Sequence, residues 1–412
     1  MIDEKLLESL NETTKDCISC GFCESVCPTL PSSDYDLSKG ARGRVLLGKS
    51  LYKDLRENGK TELNVADSFY SCLDCYACVQ VCPAGVNAGK VSEVAKQLIT
   101  TEGSPIRYQM KHTATMIVNA TMKYQNPLGL KKQSAKWSRD LEFDTSSKTL
   151  LYTGNMYQLM TYSKSMASLK SHLGDNRSEK MAKYFERHPK ILTLSQLFSD
   201  KNTKLEMTSS LRNIYYLLKK SGVEFNYLGE REPYPGTFLY DLGYMEEFAK
   251  YAKEVTKLFR ASGVERIITI DPHTFNVLKN NYPKFVHNFD FEIVYYLDLI
   301  DLNLFEHKDE IISYHEPCYF SLRDPFYPEP EIILSSVAKV TKPRKSGKSN
   351  FCCGGPAELL YPNLAHSVSE HRRNQLGVNS GNRVITACPI CYANLNRDHD
   401  VTDIANYLAS NM

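Results

Sequence analysis

The chain has 412 residues, of which 42% are apolar and 24% are charged, an ordinary composition for a globular protein of two or three domains. Its 50 basic and 48 acidic side chains leave a net charge of +2, which argues against a nucleic-acid-binding protein because that class usually carries a basic excess. The N-terminus shows no secretory signal and no uncharged apolar run reaches about 18 residues, so we expect a cytoplasmic protein without a transmembrane helix. The unusual feature is the 13 cysteines, whose odd number excludes complete disulfide pairing within one chain.

Eight cysteines form two runs near the N-terminus, and each run has the spacing C-x2-C-x2-C-x3-C followed by proline. This spacing is typical of ferredoxins with two clusters, in which three thiolates of a run bind one cluster and the fourth binds the other. Zinc is the alternative, although zinc sites more often combine two separated C-x2-C pairs. We predict two cubane [4Fe–4S] clusters, one on Cys17, Cys20, Cys23 and Cys82 and one on Cys72, Cys75, Cys78 and Cys27.

Helices are expected around these runs within residues 1–100. The segment from Asp36 to Leu55 carries spaced apolar residues, and the segment from Val91 to Ile99 continues helically after the second run. Two arginines of the first segment, Arg42 and Arg44, are candidates for a position near the cubanes, where they would steer a partner. A solvated helix face is the alternative for both arginines.

Residues 101–147 form a basic helical connector. Between Thr101 and Arg139 the connector contains seven lysine or arginine residues and a single acid, Glu102. A basic helix can contact anionic lipid or an acidic partner, and a solvated helix face is again the alternative.

From about residue 148 short apolar runs alternate with helical segments, a pattern that predicts parallel α/β units. We predict buried strands at Thr149–Thr153, Arg266–Ile270 and Arg383–Ala387, and helices at Ser210–Ser221 and Tyr244–Ser262.

The other five cysteines lie in the last hundred residues, and the 235 residues before them contain none. This clustering favours metal ligands over buried fillers. Adjacent cysteines rarely bind one iron together, but they can reach two irons of an opened cluster. One zinc, or one cubane with a spare thiol, is the alternative. The five candidate ligands are Cys318, Cys352, Cys353, Cys388 and Cys391.

An internal repeat relates the two α/β segments. The segment Ile270–Leu278 aligns with Ala387–Leu395, and Tyr234–Gly236 aligns with Cys352–Gly354. The first copy also carries an insertion at roughly residues 160–205, and Tyr234 and His273 are candidates for a substrate role in its altered site. In place of the five late cysteines the first copy has Asn155, Tyr234, Pro235, Asp271 and Thr274.

These motifs resemble fused heterodisulfide-reductase-type iron–sulfur proteins, in which a two-cubane ferredoxin domain precedes two cysteine-rich "CCG" repeats. The glycolate oxidase and anaerobic glycerol-3-phosphate dehydrogenase iron–sulfur subunits look like close relatives. The resemblance implies that the late five cysteines bind a noncubane [4Fe–4S] cluster. Family members that cleave a disulfide use two such clusters, one per repeat, so the altered first repeat argues against that activity here. The motifs that carry the resemblance are Cys17–Pro28, Gly40–Arg44, Cys72–Pro83, Asn126–Gly129, His315–Cys318, Phe351–Gly355 and Cys388–Cys391.

The expected fold is therefore a multi-domain α+β protein. It consists of an α-helical two-cluster ferredoxin domain (residues 1–100), the connector (101–147), a degenerate first CCG repeat (148–308) and a second CCG repeat with the noncubane cluster (309–412).

The expected function is that of an iron–sulfur electron-transfer subunit. No G-x-G-x-x-G follows a strand, so hydride chemistry is expected in a flavoprotein partner. The resemblance implies that this partner handles a 2-hydroxy acid or glycerol 3-phosphate. A quinone or another acceptor would receive the electrons, with a membrane-bound or quinone-reactive partner holding the chain at the inner face of a membrane. The alternatives are a catalytic component of a disulfide reductase and a scaffold or sensor with structural clusters. His315, three residues before Cys318, is a candidate for a hydrogen bond to cluster sulfur, for a proton relay, or for a purely structural hydrogen bond.

Overall fold

The N-terminal part of the chain is helical. The structure is a computed structural model that describes residues 3–412 except 107, 109, 188–199, 324–325 and 398. The Asp3 carboxylate caps the first helix by accepting from the backbone of Lys5 and Leu6, and Gly59 ends the second helix in a left-handed conformation. The helices are α1 Glu4–Thr14, α2 Ala41–Asn58, α3 Ala66–Tyr70, α4 Ala77–Gln80 and α5 Ala88–Thr100.

The predicted connector contains two helices, and a three-stranded parallel sheet in the order β1-β2-β3 follows it. Part of the predicted insertion forms two helices, and residues 188–199 of it lie outside the described residues. The elements are α6 His112–Tyr124, α7 Lys131–Ser134, β1 Thr149–Tyr152, α8 Met156–Leu173, α9 Asp175–Arg187, α10 Lys201–Lys220, α11 Thr237–Asp241, α12 Met245–Ala261, β2 Arg266–Thr269, α13 Pro272–Asn276, α14 Tyr282–Phe285 and β3 Glu292–Tyr295.

A second parallel sheet of four strands occupies the C-terminal part of the chain, in the order β5-β4-β6-β7. Its middle pair, β4 and β6, aligns His315 with Thr386. The elements are β4 Ile311–His315, α15 Cys318–Ser321, α16 Glu329–Val337, β5 Lys339–Thr341, α17 Pro362–Leu376, β6 Val384–Thr386, α18 Pro389–Leu395, β7 Val401–Asp403 and α19 Ile404–Ala409.

The first sheet lies between the N-terminal helices and the second sheet. Alternate side chains of a strand point to opposite faces, so the two faces of one strand can pack into different cores. Leu151 of β1 packs into the apolar core that contains the second sheet. Its neighbours Leu150 and Tyr152 pack into the core that contains the N-terminal helices. Each face of the sheet thus contributes to a different hydrophobic core.

The predicted elements agree with the structure to within a few residues for all three strands and for the helix at Tyr244–Ser262. The helix predicted from Asp36 begins at Ala41, because the Asp36 carboxylate accepts from the backbone of Ser38 and holds a short 3-10 turn before Gly40. The strands β3, β4, β5 and β7 are not among the predicted elements.

Candidate metal centres

The two N-terminal cysteine runs have the same unusual backbone. Ser19 and Gly21, two and four residues after the first cysteine of the first run, have φ of +60° and +84°. Asp74 and Tyr76, at the same two offsets in the second run, have φ of +47° and +65°. Because residues other than glycine rarely adopt positive φ, its recurrence at matching offsets shows that both runs fold into the same loop, which turns its three cysteines inward.

The first group of thiols gathers the first three cysteines of one run and the last cysteine of the other. All four line one small cleft, together with Arg42. Burial raises the pKa of Cys23 to about 12, and the nearby thiols of Cys27, Cys82 and Cys17 add to this shift. The Val86 N–H donates to Cys82 Sγ at 3.3 Å. The group consists of Cys17, Cys20, Cys23 and Cys82.

The second group of thiols is more deeply buried. Burial raises the pKa of Cys78 to about 12, and the thiols of Cys72 and Cys27 lie close enough to add to the shift. Cys27 therefore lies near both its own run and the second group. The group consists of Cys72, Cys75, Cys78 and Cys27.

Arg44 lies buried against the second group. Its Nη1 donates to Cys27 Sγ at 3.7 Å and to Thr29 Oγ1 at 3.1 Å, while Nε donates to the Ser68 carbonyl at 2.7 Å. Its position near the predicted cubane is as expected, but the expected role in steering a partner is wrong because the side chain is only 1% exposed. Arg42 instead is partly exposed and forms an ion pair with Glu24 at 3.2 Å.

The late five thiols lie at the carboxyl ends of the middle strands of the second sheet. From β4 the chain leaves toward β5, and from β6 it leaves toward β7 on the other side, so the crevice between β4 and β6 is a topological switch point, where open parallel sheets bind ligands. Cys318 begins α15 just after β4, and Cys388 caps α18 just after β6. The sheet topology therefore brings together cysteines that lie 70 residues apart in sequence.

All five late thiols are buried and in mutual contact. Thiol–thiol hydrogen bonds join the five cysteines into a series, and each bond shifts the pKa of one of the two thiols that it joins. The order of the series is Cys318, Cys352, Cys353, Cys391 and Cys388. Hydrogen bonds from Cys352 and Cys391 lower the pKa of Cys353. Each of the five side chains is at most 5% exposed.

The two glycines after the adjacent cysteines are required by close packing. Gly354 N–H donates to Cys352 Sγ at 3.5 Å, and Gly355 N–H donates to Cys353 Sγ at 3.4 Å. Gly354 has φ of +91°, and a Cβ there would lie 2.6 Å from the Ala365 carbonyl oxygen. The Cys-Cys-Gly-Gly sequence thus allows the backbone to turn its N–H groups toward the sulfurs.

His315 lies beside the late group. One of its ring nitrogens lies within 4.8 Å of the Sγ atoms of Cys353 and Cys391. Its Nδ1 accepts from Arg372 Nε at 3.0 Å, which leaves the ring hydrogen on Nε2, a buried atom without a hydrogen-bond partner in the described part of the chain. Burial and the Arg372 charge hold the pKa of His315 well below its usual range.

Two segments of the chain match known protein families. Residues 13–86 match the family described as 4Fe-4S dicluster domain, and residues 312–396 match the family described as Cysteine-rich domain. The chain combines a 4Fe-4S dicluster domain with a CCG cysteine-rich domain. The predicted N-terminal iron–sulfur domain and C-terminal cysteine-rich domain are therefore confirmed.

Several curated relatives match this CCG-domain protein along most of its length. One component of the dihydromethanophenazine:CoB–CoM heterodisulfide reductase of Methanosarcina acetivorans is 23% identical over 96% of the chain and 91% of the relative. The probable iron-sulfur-binding oxidoreductase FadF of Bacillus subtilis is 23% identical over 91% of the chain, and the EtfAB:quinone oxidoreductase of Syntrophomonas wolfei is 22% identical over 91%. A local match of 83 residues, 37% identical, joins the chain to the probable glycolate oxidase iron-sulfur subunit of Bacillus subtilis.

The chain spans 55% of the length of FadF and 54% of the length of the EtfAB:quinone oxidoreductase. No solved structure matches the chain. The names of these relatives agree with the expected class, a component of an oxidoreductase. Among the described residues, no helix is long and apolar enough to cross a membrane.

The charges around the thiols of this CCG-domain protein fit anionic clusters. Arg44 and Arg372 are at most 1% exposed, and in the described part of the chain neither makes a hydrogen bond or ion pair with a carboxylate. A buried cation without a counter-charge is costly. The charges of Asp74 and Glu316 act on Arg44 and Arg372 without a direct contact. Thiolate-bound iron–sulfur clusters are anionic and would supply a closer counter-charge beside Cys27 and beside His315.

The second and late groups adjoin each other. Burial raises the pKa of Cys75 well above its usual range, and the nearby Cys318 thiol adds to the shift. Arg323 joins the two regions, with its guanidinium 4.4 Å from the Tyr76 ring centroid and 4.0 Å from that of Tyr319. Arg323 also donates to the Asp74 carbonyl at 2.6 Å.

The five residues aligned with the late cysteines are buried at and near the carboxyl edge of the first sheet. The Asp271 carboxylate caps α13 by accepting from the backbone of His273 and Thr274, whereas Cys388 occupies the cap of α18. The Tyr234 hydroxyl accepts from the Phe238 N–H at 3.1 Å. Side chains without a thiol thus fill this edge of the sheet.

Sequence reasoning missed four cationic or acidic side chains at these centres, of which three are buried and Arg323 is partly buried. Lys96 Nζ lies 2.6 Å from Asp74 Oδ2 near the second group, and both residues are at most 7% exposed. Arg323 and Arg372 are the other two. The Asp74 position within the second cysteine run is a visible signal, but nothing in the sequence places Lys96 opposite it.

Proposed function

We propose that the chain is an iron–sulfur electron-transfer subunit that relays single electrons between a flavoprotein dehydrogenase and a quinone or another acceptor. The flavoprotein would act on a 2-hydroxy acid or glycerol 3-phosphate. The observation that carries the proposal is the series of three thiol groups, in which Cys27 links the first group to the second and Cys75 adjoins the late group. Bound iron–sulfur clusters supply one-electron chemistry at potentials set by their type, hydrogen bonds and exposure.

The proposed cofactors are a cubane [4Fe–4S] cluster on each of the first two groups and a noncubane [4Fe–4S] cluster on the late five. Two identical loop conformations and crosswise placement of Cys27 and Cys82 support the cubanes. The five buried thiols, one more than a cubane needs, support the noncubane cluster. The sulfurs of Cys352 and Cys353 each accept a backbone N–H, which favours the thiolate form.

Residues of this chain would also exclude water from the cluster sites of the second and late groups and leave the cluster site of the first group accessible. The late five cysteines are buried, whereas Cys20 is exposed. The first loop also presents two large apolar side chains to solvent, Ile18 at 69% and Phe22 at 61% exposed. We propose that the flavoprotein docks on this loop, so that electrons enter at the first group and proceed inward.

We also propose that residues 148–308 and 309–412 are two copies of one unit, the first without a cluster. Each copy has a parallel sheet in which two neighbouring strands end just before the aligned positions. In each copy a proline also follows the residue that caps the next helix, Asp271 in the first copy and Cys388 in the second. Location at the inner face of a membrane would follow from a membrane-bound partner.

A second candidate is a catalytic component of a disulfide reductase. It is favoured by the intact late group and by similarity to a heterodisulfide reductase component along nearly the whole chain. The replacement of every aligned cysteine in the first copy weighs against it.

The proposal is tested by affinity purification of the chain from its native host under anaerobic conditions. We expect a flavoprotein to copurify, and its substrate to reduce the clusters, as followed by low-temperature electron paramagnetic resonance. The variant Phe22→Ser changes an exposed residue of the first loop that is not a cluster ligand. It should therefore keep its iron but no longer copurify with the flavoprotein. Cluster reduction by small thiols with release of disulfide, and no flavoprotein, would favour the second candidate and contradict the first.

A further inference from the structure

A large cavity lies where the predicted connector, the inserted helices and the two cluster-bearing parts of the chain meet. Its volume of about 420 Å³ is in the range of small-molecule sites, which span roughly 300–1,000 Å³. Helices α6, α8 and α9 contribute its mainly apolar wall, including Met116, Leu159, Met160 and Phe185, and Phe238 of α11 adds to it. The size and the apolar wall suit a ligand with a substantial hydrophobic body.

One part of the wall is polar and contains unsatisfied groups. Asp74, Lys96, Asp241 and His273 all line the cavity. Asp74 Oδ1 and His273 Nδ1 are buried and have no hydrogen-bond partner among the described residues, although Asp74 and His273 are only 7% and 5% exposed. Because unpaired buried polar atoms are costly, their presence in a cavity wall indicates a ligand that hydrogen-bonds to them.

The cavity also touches two of the three thiol groups. Cys72 of the second group lines it, and so does Gly355, which follows the adjacent cysteines of the late group. A molecule held there would lie beside both centres. This position favours a ligand that exchanges electrons over a ligand that only fills space.

We propose that this cavity binds a quinone, with a carbonyl of its neutral ring at His273 and its apolar tail along α6, α8 and α9. The inference rests on the proposed electron-transfer function and places the acceptor site within this chain. Full reduction of the bound quinone takes two electrons, delivered singly by the relay, and two protons from solvent, and it yields a hydroquinone. In the oxidised form a ring carbonyl would accept a hydrogen bond from the His273 Nδ1–H, and in the reduced form a hydroquinone hydroxyl would donate to Asp74 Oδ1.

The charges of the polar wall disfavour an anionic amphiphile. Asp74 and Asp241 supply two carboxyl groups, whereas Lys96 supplies one ammonium group and is already paired with Asp74 at 2.6 Å. A fatty-acid carboxylate would face this excess of acid without a free cation in the described part of the wall. A neutral carbonyl head avoids that repulsion.

The inference is tested by titrating the anaerobically purified, cluster-containing protein with decylubiquinone in a calorimeter. Decylbenzene and decanoate serve as ligands with a similar tail but no quinone head. We expect one decylubiquinone per chain and affinities at least about tenfold weaker for both comparison ligands, a factor that corresponds to about 1.4 kcal/mol. Equal or tighter binding of decylbenzene or decanoate, or no binding of decylubiquinone, would overturn the quinone site.

Three variants locate the site. Leu159→Trp should narrow the cavity and weaken binding about tenfold or more, and His273→Leu should weaken it about tenfold by removing a ring partner. Leu205→Trp, the same change on a side chain that is 70% exposed, should bind like the wild type. Iron content and circular dichroism check that each variant is folded, and if Leu159→Trp is not, His273→Leu decides the outcome. Unchanged binding in a folded Leu159→Trp or in His273→Leu would contradict the site.

The titration separates this inference from the proposed function. Clusters that a flavoprotein reduces in a protein that binds no quinone would overturn the cavity site alone. Quinone binding in a protein whose clusters no flavoprotein reduces would contradict the relay and leave the cavity site standing.

Discussion

At the scale of single residues, the buried cations decide how well the chain can hold anionic clusters. Arg44 contacts Cys27 Sγ and otherwise donates only to neutral oxygens in the described structure. A positive charge at this position stabilises the reduced cluster, which carries one more negative charge than the oxidised cluster. The side chain should therefore raise the reduction potential of the centre on the second group.

Arg44→Gln is predicted to lower that potential, by about 60 mV if the lost interaction amounts to a tenfold change in the one-electron equilibrium. Potentiometric titration monitored by electron paramagnetic resonance measures the shift. Arg56→Gln is the matched control, because Arg56 lies on the same helix, is exposed and pairs with Glu4 at 2.7 Å. An equal potential in Arg44→Gln and in the control would show that the buried charge does not act on the cluster.

The cysteine ligands could be predicted from the sequence, but the contacts of the buried arginines could not, because their partners lie far away in sequence. Cysteine spacing within a run is local, so the ligand candidates could be listed from the sequence. The contact between Arg372 and His315 joins residues 57 positions apart, and its existence depends on how α17 packs against β4. Arg44 was expected near a cubane in a role that steers a partner, or on a solvated helix face, and only the packing of α2 shows that its side chain is buried.

At the scale of elements, turns and strand ends position the late thiols. The Cys-Cys-Gly-Gly turn requires positive φ at Gly354 and also space beside it. Gly381 has a similar φ of +84° but no atom within 4 Å of the position of a Cβ. A substitution at Gly381 therefore measures backbone strain alone, whereas a substitution at Gly354 measures backbone strain together with a steric clash.

Gly381→Ala is predicted to cost about 1–2 kcal/mol of unfolding free energy, the usual cost of a left-handed conformation in a residue with a Cβ. Gly354→Ala should cost more, because its Cβ would also overlap the Ala365 carbonyl oxygen, and it should lower the iron content of the late group. Chemical denaturation and iron analysis of both variants check this. Similar losses in the two variants would contradict the steric argument.

A buried carboxyl group makes the end of β1 sensitive to pH. Glu232 accepts from the Thr153 N–H at 3.1 Å and is hydrogen-bonded to the Thr153 hydroxyl. Burial raises its pKa to about 8, well above its ordinary value of 4.5. The folded state therefore keeps the proton that the unfolded chain loses, and stability falls as pH rises from 4.5 through 8.

Glu232→Gln imitates the protonated side chain and should remove this pH dependence. The variant is predicted to gain stability relative to the wild type, on the order of 5 kcal/mol, between about pH 4.5 and pH 8. Urea denaturation across this pH range measures the difference. Glu230→Gln, which changes an exposed neighbour, is the control. A constant difference between Glu232→Gln and wild type over the range would contradict the raised pKa.

Short apolar runs in the sequence correspond to β1, β2 and β6, because these strands are buried on both faces. The same pattern does not reveal β3, which starts exposed, or the two edge strands β5 and β7, which are only three residues long. Strand order depends on contacts between distant segments. The position of Cys318 and Cys388 at one crevice could therefore not be predicted from their spacing.

At the scale of the whole molecule, the three thiol groups form a series that runs from the surface to the interior. The first group lies on an exposed loop, the second adjoins Cys318 of the late group, and Arg323 links the parts that carry them. The cavity beside the inner two groups would complete a path from a docked partner to an acceptor.

The central claim is that all 13 cysteines bind three four-iron clusters. The most direct measurement is the iron and acid-labile sulfide content of the anaerobically purified chain, combined with low-temperature electron paramagnetic resonance. The account predicts about twelve irons and twelve sulfides per chain, from two cubanes and one noncubane cluster. About eight irons, with no signal lost when Cys353 is replaced by Ser, would contradict the late cluster and with it the proposed relay.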